Sequence, residues 1–431
     1  EPVAGPAHDM QALFQAIVTH APIPPVDPDG PFQMQISALD YSPYVGVIGI
    51  GRIQRGQVHR NDVVAIAAPG GKVRKKRILQ ILGFEGLERI ESESAVAGDI
   101  VAVTGLDALS ISDTLCDPEA VEPLFPLSVD QPTLSMTFQV NDSPFAGREG
   151  RFVTSRNLRE RLERELIHNV ALRVEPMEDL DKFRVSGRGE LHLSILIENM
   201  RREGFELAIS RPEVIMREEQ GVIHEPFETL TVDVEEAYQG RVMERLGERR
   251  AQLRDMVPDG AGRVRLDYLV PSRGLIGFRS EFLTISSGTG LMYHAFDHYA
   301  PRVDGNLAER NNGVLVSMAA GKALAYALFN LQERGRLFIG HGVEVYEGMI
   351  IGIHSRSNDL VVNPLKAKQL TNIRAAGTDE NLLLSPPVST TLEYALEFIN
   401  EDELVEVTPE SIRIRKKYLR EHERKRASRA A

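Results

Sequence analysis

The sequence predicts a multidomain α+β protein: a β-barrel, two ferredoxin-like split βαβ domains, and a mixed α/β C-terminal domain. Three observations predict it. At 431 residues the chain is too long for one hydrophobic core, since domains run to about 100–150 residues. The apolar period changes along the chain, from short β-branched runs to alternating strand and helix patterns. The order β-α-β-β-α-β then reads twice, at 132–210 and again at 226–300.

Each segment supports this in order. Within 1–31, residues 9–20 place Leu13, Phe14, Ile17 and Val18 at helical spacing. Residues 22–31 then carry five prolines and a glycine, the composition of a stiff linker. Residues 32–128 read as all-β, with runs such as VGVIGI, VVAIAA and DIVAVTG divided by QRG, APGG and AGD turns. Gly46, Gly49 and Gly51 recur in one run, as barrel corners and close backbone approaches require. Residues 129–218 hold the first split βαβ unit, with helices expected over 155–168 and about 190–202. Residues 219–300 hold the second, with helices expected over 239–253 and near 274–279. Residues 301–431 differ: a strand, an apolar helix at about 320–333, a β-rich stretch, a polar and basic segment over 354–377, and a basic tail.

Composition narrows the function classes. The apolar fraction is 42% and the charged fraction 26%, ordinary for a globular protein. No apolar run is long enough to span a bilayer, and the first ten residues do not read as a secretory signal. Cys116 is the single cysteine, so an internal disulfide and a cysteine zinc site are excluded and a reducing cytoplasm is expected. The formal net charge of −12 alone argues against nucleic acid. Its distribution argues otherwise. Lys72, Arg74, Lys75, Lys76 and Arg77 lie together without an acid, and residues 411–431 hold nine basic against two acidic side chains. Screening over about 8–10 Å lets a phosphate feel the local patch.

Catalytic fingerprints are weak. A phosphate loop needs G-x-x-x-x-G-K-[ST]. At Gly71-Lys72 and Gly321-Lys322 the hydroxyl position is taken by Val73 and Ala323, and Val316 replaces the first glycine of the second. His294 and His298 are four apart, but the run YHAFDHY points to aromatic packing and not to a metal. Residues 187–193, GRGELHL, read as strand, turn and helix. Glu190 is expected at the helix N-terminus, where its charge suits the dipole, with Arg188 at the turn tip able to contact RNA.

These stretches resemble a known family. GRIQRGQV at 51–58 and AVAGDIVAVTGL at 95–106 are similar to the β-barrel second domain of translational GTPases. Residues 186–214 resemble the third domain of elongation factor G, and Glu225-Pro226, AYQGRVMERLGERRAQL and LVPSRGLIGFRSEF resemble its fifth domain. Only residues 219–224 separate the two, which speaks against a translocase and leaves LepA-like and BipA/TypA-like factors. Residues 301–380 resemble the BipA/TypA C-terminal domain. AHDMQALFQAIVTHAP resembles the last helix of the family's GTPase domain, so the GTP-binding domain is expected to lie outside this sequence.

The resemblance implies a ribosome-binding chain without its own catalytic residues. Partners would be the intersubunit cleft, rRNA and A-site tRNA, with no membrane and a monomeric state, in large-subunit assembly and in cold or stress. GTP and Mg²⁺ would belong to the domain outside. The candidate RNA-binding residues are Lys72, Arg74, Lys75, Lys76, Arg77, Arg188, Arg356, Lys366, Lys368, Asn372, Arg374, Arg413, Arg415, Lys416 and Lys417. Cations on long loops suit phosphate and ribose contacts. The rival reading is an autonomous protein–protein module.

Overall fold

The structure, a computed structural model, describes residues 10–430 except 23–24, 43, 87, 128–130, 306–309, 311 and 368–381, with the side chains of 168 and 430 left aside. The chain divides into two compact units, one of residues up to 129 with 167–170, the other of 130–166 and 171–431.

In the first unit, helix Gln11–His20 buries none of its residues and leaves Leu13, Phe14, Ile17 and Val18 exposed. Eight antiparallel strands follow. Their spatial order is Val73–Arg77, Val63–Ala67, Thr114–Cys116, Gln33–Ser42, Gly46–Arg55, Ile100–Thr104, Gln80–Glu85, Glu88–Ser92. A short ribbon pairs Gln57–His59 with Ser94–Val96. Alternation sends Met34, Ile36, Ile53, Ile66, Ile81, Val103 and Leu115 into one shared core. Among the described residues no pairing joins the two edge strands, so hydrogen bonds do not close the sheet into a ring. Gly51 is dictated by contact: a Cβ there would stand 2.1 Å from the Gln35 carbonyl oxygen across the pair.

The second unit contains both split βαβ repeats. In the first, Leu134–Val140 lies between Lys182–Gly187 and Leu207–Ile209, with Arg173–Pro176 beyond Lys182–Gly187. Helices Ser155–His168 and Glu190–Glu203 supply Leu158, Leu162, Leu193, Leu196, Ile197 and Met200 to its core. In the second, Val222–Glu235 lies between Arg263–Pro271 and Leu291–Pro301, with Gln252–Pro258 at the far edge. Numbered along each repeat, both sheets have the order 4-1-3-2 of the ferredoxin-like fold.

The second repeat departs from expectation after its first helix. Helix Glu236–Glu248 ends five residues early, at a turn where Arg250 takes a φ of 61°. Arg249 is anchored there on the carbonyls of Gly274 and Ile276, at 2.7 and 3.0 Å. Strand Gln252–Pro258 then follows, exposed along its whole length, so it carries little alternation for a sequence reading to find.

The C-terminal segment does not fold beside the first repeat as a separate sheet. Leu207–Ile209 pairs directly with Glu403–Val407, in the register Ala208 to Glu406. The sheet continues through Ile412–Lys416, Met349–His354, Val314–Ser317 and Leu360–Val362, giving eleven strands in all. One apolar cluster runs across this seam, from Phe138 and Leu207 to Val405 and Ile414. Helices Ala325–Leu331 and Leu392–Phe398 add Leu328 and Leu396 to the apolar packing of this half.

Candidate nucleic-acid interface

The strand Val73–Arg77 is an edge strand whose one partner is Val63–Ala67. Its alternation divides the basic run by face. Arg74 and Lys76 point to one side, where Arg74 meets Asp113 at 3.4 Å and the Ala108 carbonyl, and Lys76 meets Asp107 at 3.2 Å. Lys75 and Arg77 point to the other side and, like Lys72 in the preceding turn, are exposed with no ion pair among the described residues. These three cations keep their hydrogen-bonding capacity for an outside anion. Edge lysines also discourage strand-to-strand aggregation, so the same residues have a protective role.

Arg188 is exposed at the Gly187–Gly189 turn, whose backbone is pinned by Thr133 Oγ1 donating to the Arg188 carbonyl at 2.9 Å. Arg356 and Lys366 are exposed, on either side of strand Leu360–Val362. Lys368, Asn372 and Arg374 lie outside the described residues. Lys417 is exposed and lines an open cleft of about 1220 Å³ with Arg420 and Arg426. Asp142, Asp179 and Asp181 line the same cleft, so its field is mixed and less suited to a polyanion than the Lys75 face.

Three expected RNA contacts are corrected. Arg413, Arg415 and Lys416 lie on strand Ile412–Lys416, which is hydrogen-bonded on both sides. Arg413 bonds Glu149 at 2.8 Å and Glu406 at 3.0 Å. Arg415, 1% exposed, is held by Asp142. The Lys416 ammonium sits among Asp359, Asp402 and Glu403 at 2.6, 2.7 and 2.9 Å. Burial would normally discourage their charged forms, yet the surrounding carboxylates push the pKa of Arg413 and of Lys416 above their ordinary values. A phosphate would have to displace these carboxylates inside the protein, so the three residues hold the fold and are not offered to RNA.

Glu190 departs from the helix-dipole expectation. It opens helix Glu190–Glu203, but burial, and next the carboxylate of Glu397, push its pKa up to about 7. Its Oε1 is buried with no hydrogen-bond partner among the described residues. His294 and Arg279 pull the other way without prevailing. Nearby, His294 Nδ1 lies 2.5 Å from Glu228 Oε2, which raises the histidine pKa despite burial. His298 instead stacks on Phe227 at 5.8 Å. Among the described residues, no group of three His, Cys, Asp or Glu could hold a metal ion. No sequence signal marked Glu190 for a raised pKa, because its burial and the approach of Glu397, some two hundred residues away, are set by the tertiary fold.

The two Gly-Lys pairs weighed as phosphate loops both lie at β-strands. Gly71 and Lys72 form the tip of the hairpin between Val63–Ala67 and Val73–Arg77, and Gly321–Lys322 is a short strand paired with Glu344–Val345. Neither is the loop entering a helix that cradles phosphates.

An eight-stranded all-β unit followed by two ferredoxin-like repeats with no further domain between them defines the class: a translational GTPase of the elongation-factor type. Residues 46–116 match the family described as elongation factor Tu domain 2, residues 222–311 the elongation factor G C-terminus, and residues 312–421 the TypA/BipA C-terminal domain. The chain is 65% identical over 424 residues to the large ribosomal subunit assembly factor BipA of Escherichia coli K12, covering 98% of this chain and 70% of that one. It is 62% identical to the same-named protein of Haemophilus influenzae Rd, covering 98% and 69%. With that of Buchnera aphidicola the identity is 56%, covering 98% and 70%. The chain belongs to the BipA family of translational GTPases.

Proposed function

We propose that this chain is the ribosome-docking part of a factor that supports assembly of the large ribosomal subunit, and that it does so by gripping rRNA and the A-site tRNA. The relatives are named large ribosomal subunit assembly factors, which supports the ribosome as partner. The observation that carries the RNA contact is the set of exposed cations without ion pairs among the described residues: Lys72, Lys75, Arg77, Arg188, Arg356 and Lys366. Lys368, Asn372 and Arg374 belong to the same proposal on sequence grounds. Such side chains lose little when they exchange water for phosphate, and each phosphate they neutralise releases counterions. Shape and backbone, not base sequence, would be read.

In this reading GTP binding and hydrolysis, with Mg²⁺, belong to residues other than those described here. The chain acts as a cytoplasmic monomer, and its service in cold or stress follows from the assembly role. No helix among the described residues is long and apolar enough to cross a membrane.

Co-sedimentation with ribosomes across a salt series is the test. Binding should weaken steeply with salt and be competed by added RNA. Lys366→Ala together with Lys368→Ala should flatten the slope of log K against log salt by roughly 0.7–0.9 for each phosphate that is no longer neutralised. Binding that RNA does not compete would favour a protein–protein module, and no binding at low salt would end the proposal.

A further inference from the structure

A second kind of site lies in the C-terminal half, away from the basic patches. Helix Leu392–Phe398 places Tyr394 and Phe398 one turn apart, so their rings share a face. The rings stack, with centroids 5.6 Å apart and planes 20° from parallel. Phe338 meets both edge-on, at 6.1 and 5.3 Å. The guanidinium of Arg310 lies 4.2 Å over Phe398 and backs the stack. Arg310 is not available to a ligand: Glu403 grips it at 2.9 and 3.0 Å, and it also donates to the carbonyls of Phe398 and Asn312. It is a wall that fixes the aromatic pair.

In front of this wall is a cavity of about 280 Å³, lined by Tyr394, Phe398, Arg336 and His354 among others. Each of three groups has something left to give. Arg336 is exposed and has no ion pair among the described residues. The Tyr394 ring is half-buried, and its hydroxyl finds no partner among them. His354 is only 4% exposed, and its Nδ1 lies 2.5 Å from the Asn358 carbonyl. A carbonyl oxygen can only accept, so Nδ1 carries a proton, and in the neutral imidazole Nε2 is then an acceptor, with no partner among the described residues.

A planar ring surface, a free guanidinium and a histidine nitrogen acceptor lining one small cavity are complementary to one ligand chemistry. We propose that this cavity binds a single nucleotide unit, its base stacked on Tyr394, its phosphate at Arg336, and an exocyclic amino group donating to His354 Nε2. At about 280 Å³ the cavity falls just below the size at which small-ligand cavities begin, about 300 Å³, so it takes the base of one nucleotide and leaves the phosphate at the rim beside the exposed Arg336. Stacking of a base on an aromatic ring is worth roughly 1–3 kcal/mol, and it accepts any base. The histidine acceptor adds a preference, since adenine and cytosine carry the amino group and uracil presents a carbonyl there. The nucleotide unit could be free or be part of a single-stranded RNA. The site goes beyond the docking proposal and does not rest on it: a chain that fails to co-sediment with ribosomes can still bind a mononucleotide.

Calorimetric titration of the full chain with AMP, UMP, inorganic phosphate and tetra-adenylate tests this. AMP or tetra-adenylate should bind, and better than UMP and inorganic phosphate. Binding of tetra-adenylate without AMP makes RNA the source, and binding of AMP makes a free nucleotide sufficient. Arg336→Glu, an exposed change that leaves folding intact, should weaken binding about tenfold or more. Tyr394→Ala should do the same and Tyr394→Phe should not, with thermal melting used to confirm that each variant is folded. The proposal is overturned if neither AMP nor tetra-adenylate binds, if inorganic phosphate binds as well as AMP, or if both Arg336→Glu and Tyr394→Ala bind as the parent does.

Discussion

Two stretches of this chain read alike. Residues 72–77 are KVRKKR and residues 412–417 are IRIRKK. The first is an edge strand with one neighbour, so one face of it meets water and Lys75 and Arg77 stay free. The second lies inside the eleven-stranded sheet with a neighbour on each side, and its Arg413, Arg415 and Lys416 are held by carboxylates, while Lys417 at its end is exposed. The position of a strand in its sheet therefore decides whether a basic run is a surface for a partner or a part of the core. A charge taken out of water is tolerable only when paired and hydrogen-bonded. The inner strand meets that demand with Asp142, Glu149, Asp359, Asp402, Glu403 and Glu406.

The largest effect expected from this contrast is at Glu406. This carboxylate is fully buried and accepts from Arg413 at 3.0 Å, Asn141 at 3.0 Å, Ser143 at 2.9 Å and the Tyr346 hydroxyl at 2.6 Å. Glu406→Ala leaves Arg413 with Glu149 alone and strands the polar groups of Asn141, Ser143 and Tyr346, and should cost about 3–5 kcal/mol of stability in urea unfolding. Glu406→Gln keeps an acceptor oxygen for these groups, and should recover part of that loss. A loss below about 1 kcal/mol for Glu406→Ala would mean that water reaches this layer, and the contrast with the edge strand would fail.

Much of this fold could be read along the chain. The ferredoxin-like repeats were legible because Leu158, Leu162, Leu193 and Ile197 mark helices between alternating strands. The matching stretches of the barrel-like unit were legible through turn residues and glycines such as Gly51. What could not be read depends on residues distant in sequence. The seam between Leu207–Ile209 and Glu403–Val407 joins segments about two hundred residues apart, and no local period announces it. The burial of Arg413 and Lys416 follows from that seam. The raised pKa of Glu190 also rests on tertiary structure, first its burial and then Glu397. Basic composition was legible, but which cations are free was not, because that is a property of pairing.

A smaller effect, with a sign that can be worked out, is expected at Glu190. Its folded pKa is about 7 against 4.5 for the free side chain, so the folded state holds a proton that the unfolded state has lost. Stability should therefore fall as pH rises from about 4.5 to about 7, and stay lower above that. Glu190→Gln removes the titration and should raise stability by about 1–2 kcal/mol at pH 8, a discount on the full shift because the residue is only partly enclosed. At pH 4 the two proteins should be equally stable. Glu393, Glu397, His294 and Arg279 remain around the site in both, so the difference between the two pH profiles isolates Glu190. A variant profile parallel to that of the parent between pH 4 and 8 would show that Glu190 titrates alike in the folded and unfolded states.

The smallest effect on stability, and the sharpest on binding, is expected at the edge strand. Lys75→Ala and Arg77→Ala remove exposed side chains with no ion pair among the described residues, and each should change stability by no more than about 0.5 kcal/mol. On ribosomal RNA the same changes should make the salt slope shallower by roughly 0.7–0.9 each, if each side chain neutralises one phosphate. Lys416→Ala should behave in the opposite way: it leaves Asp359, Asp402 and Glu403 facing one another, so stability falls while the salt slope of the folded protein stays put. Two basic runs of similar composition would then separate into one that moves only binding and one that moves only stability. If Lys75→Ala and Arg77→Ala leave the slope unchanged, the edge cations serve to keep strands apart, and the grip on RNA has to be sought at Arg188, Arg356 and Lys366.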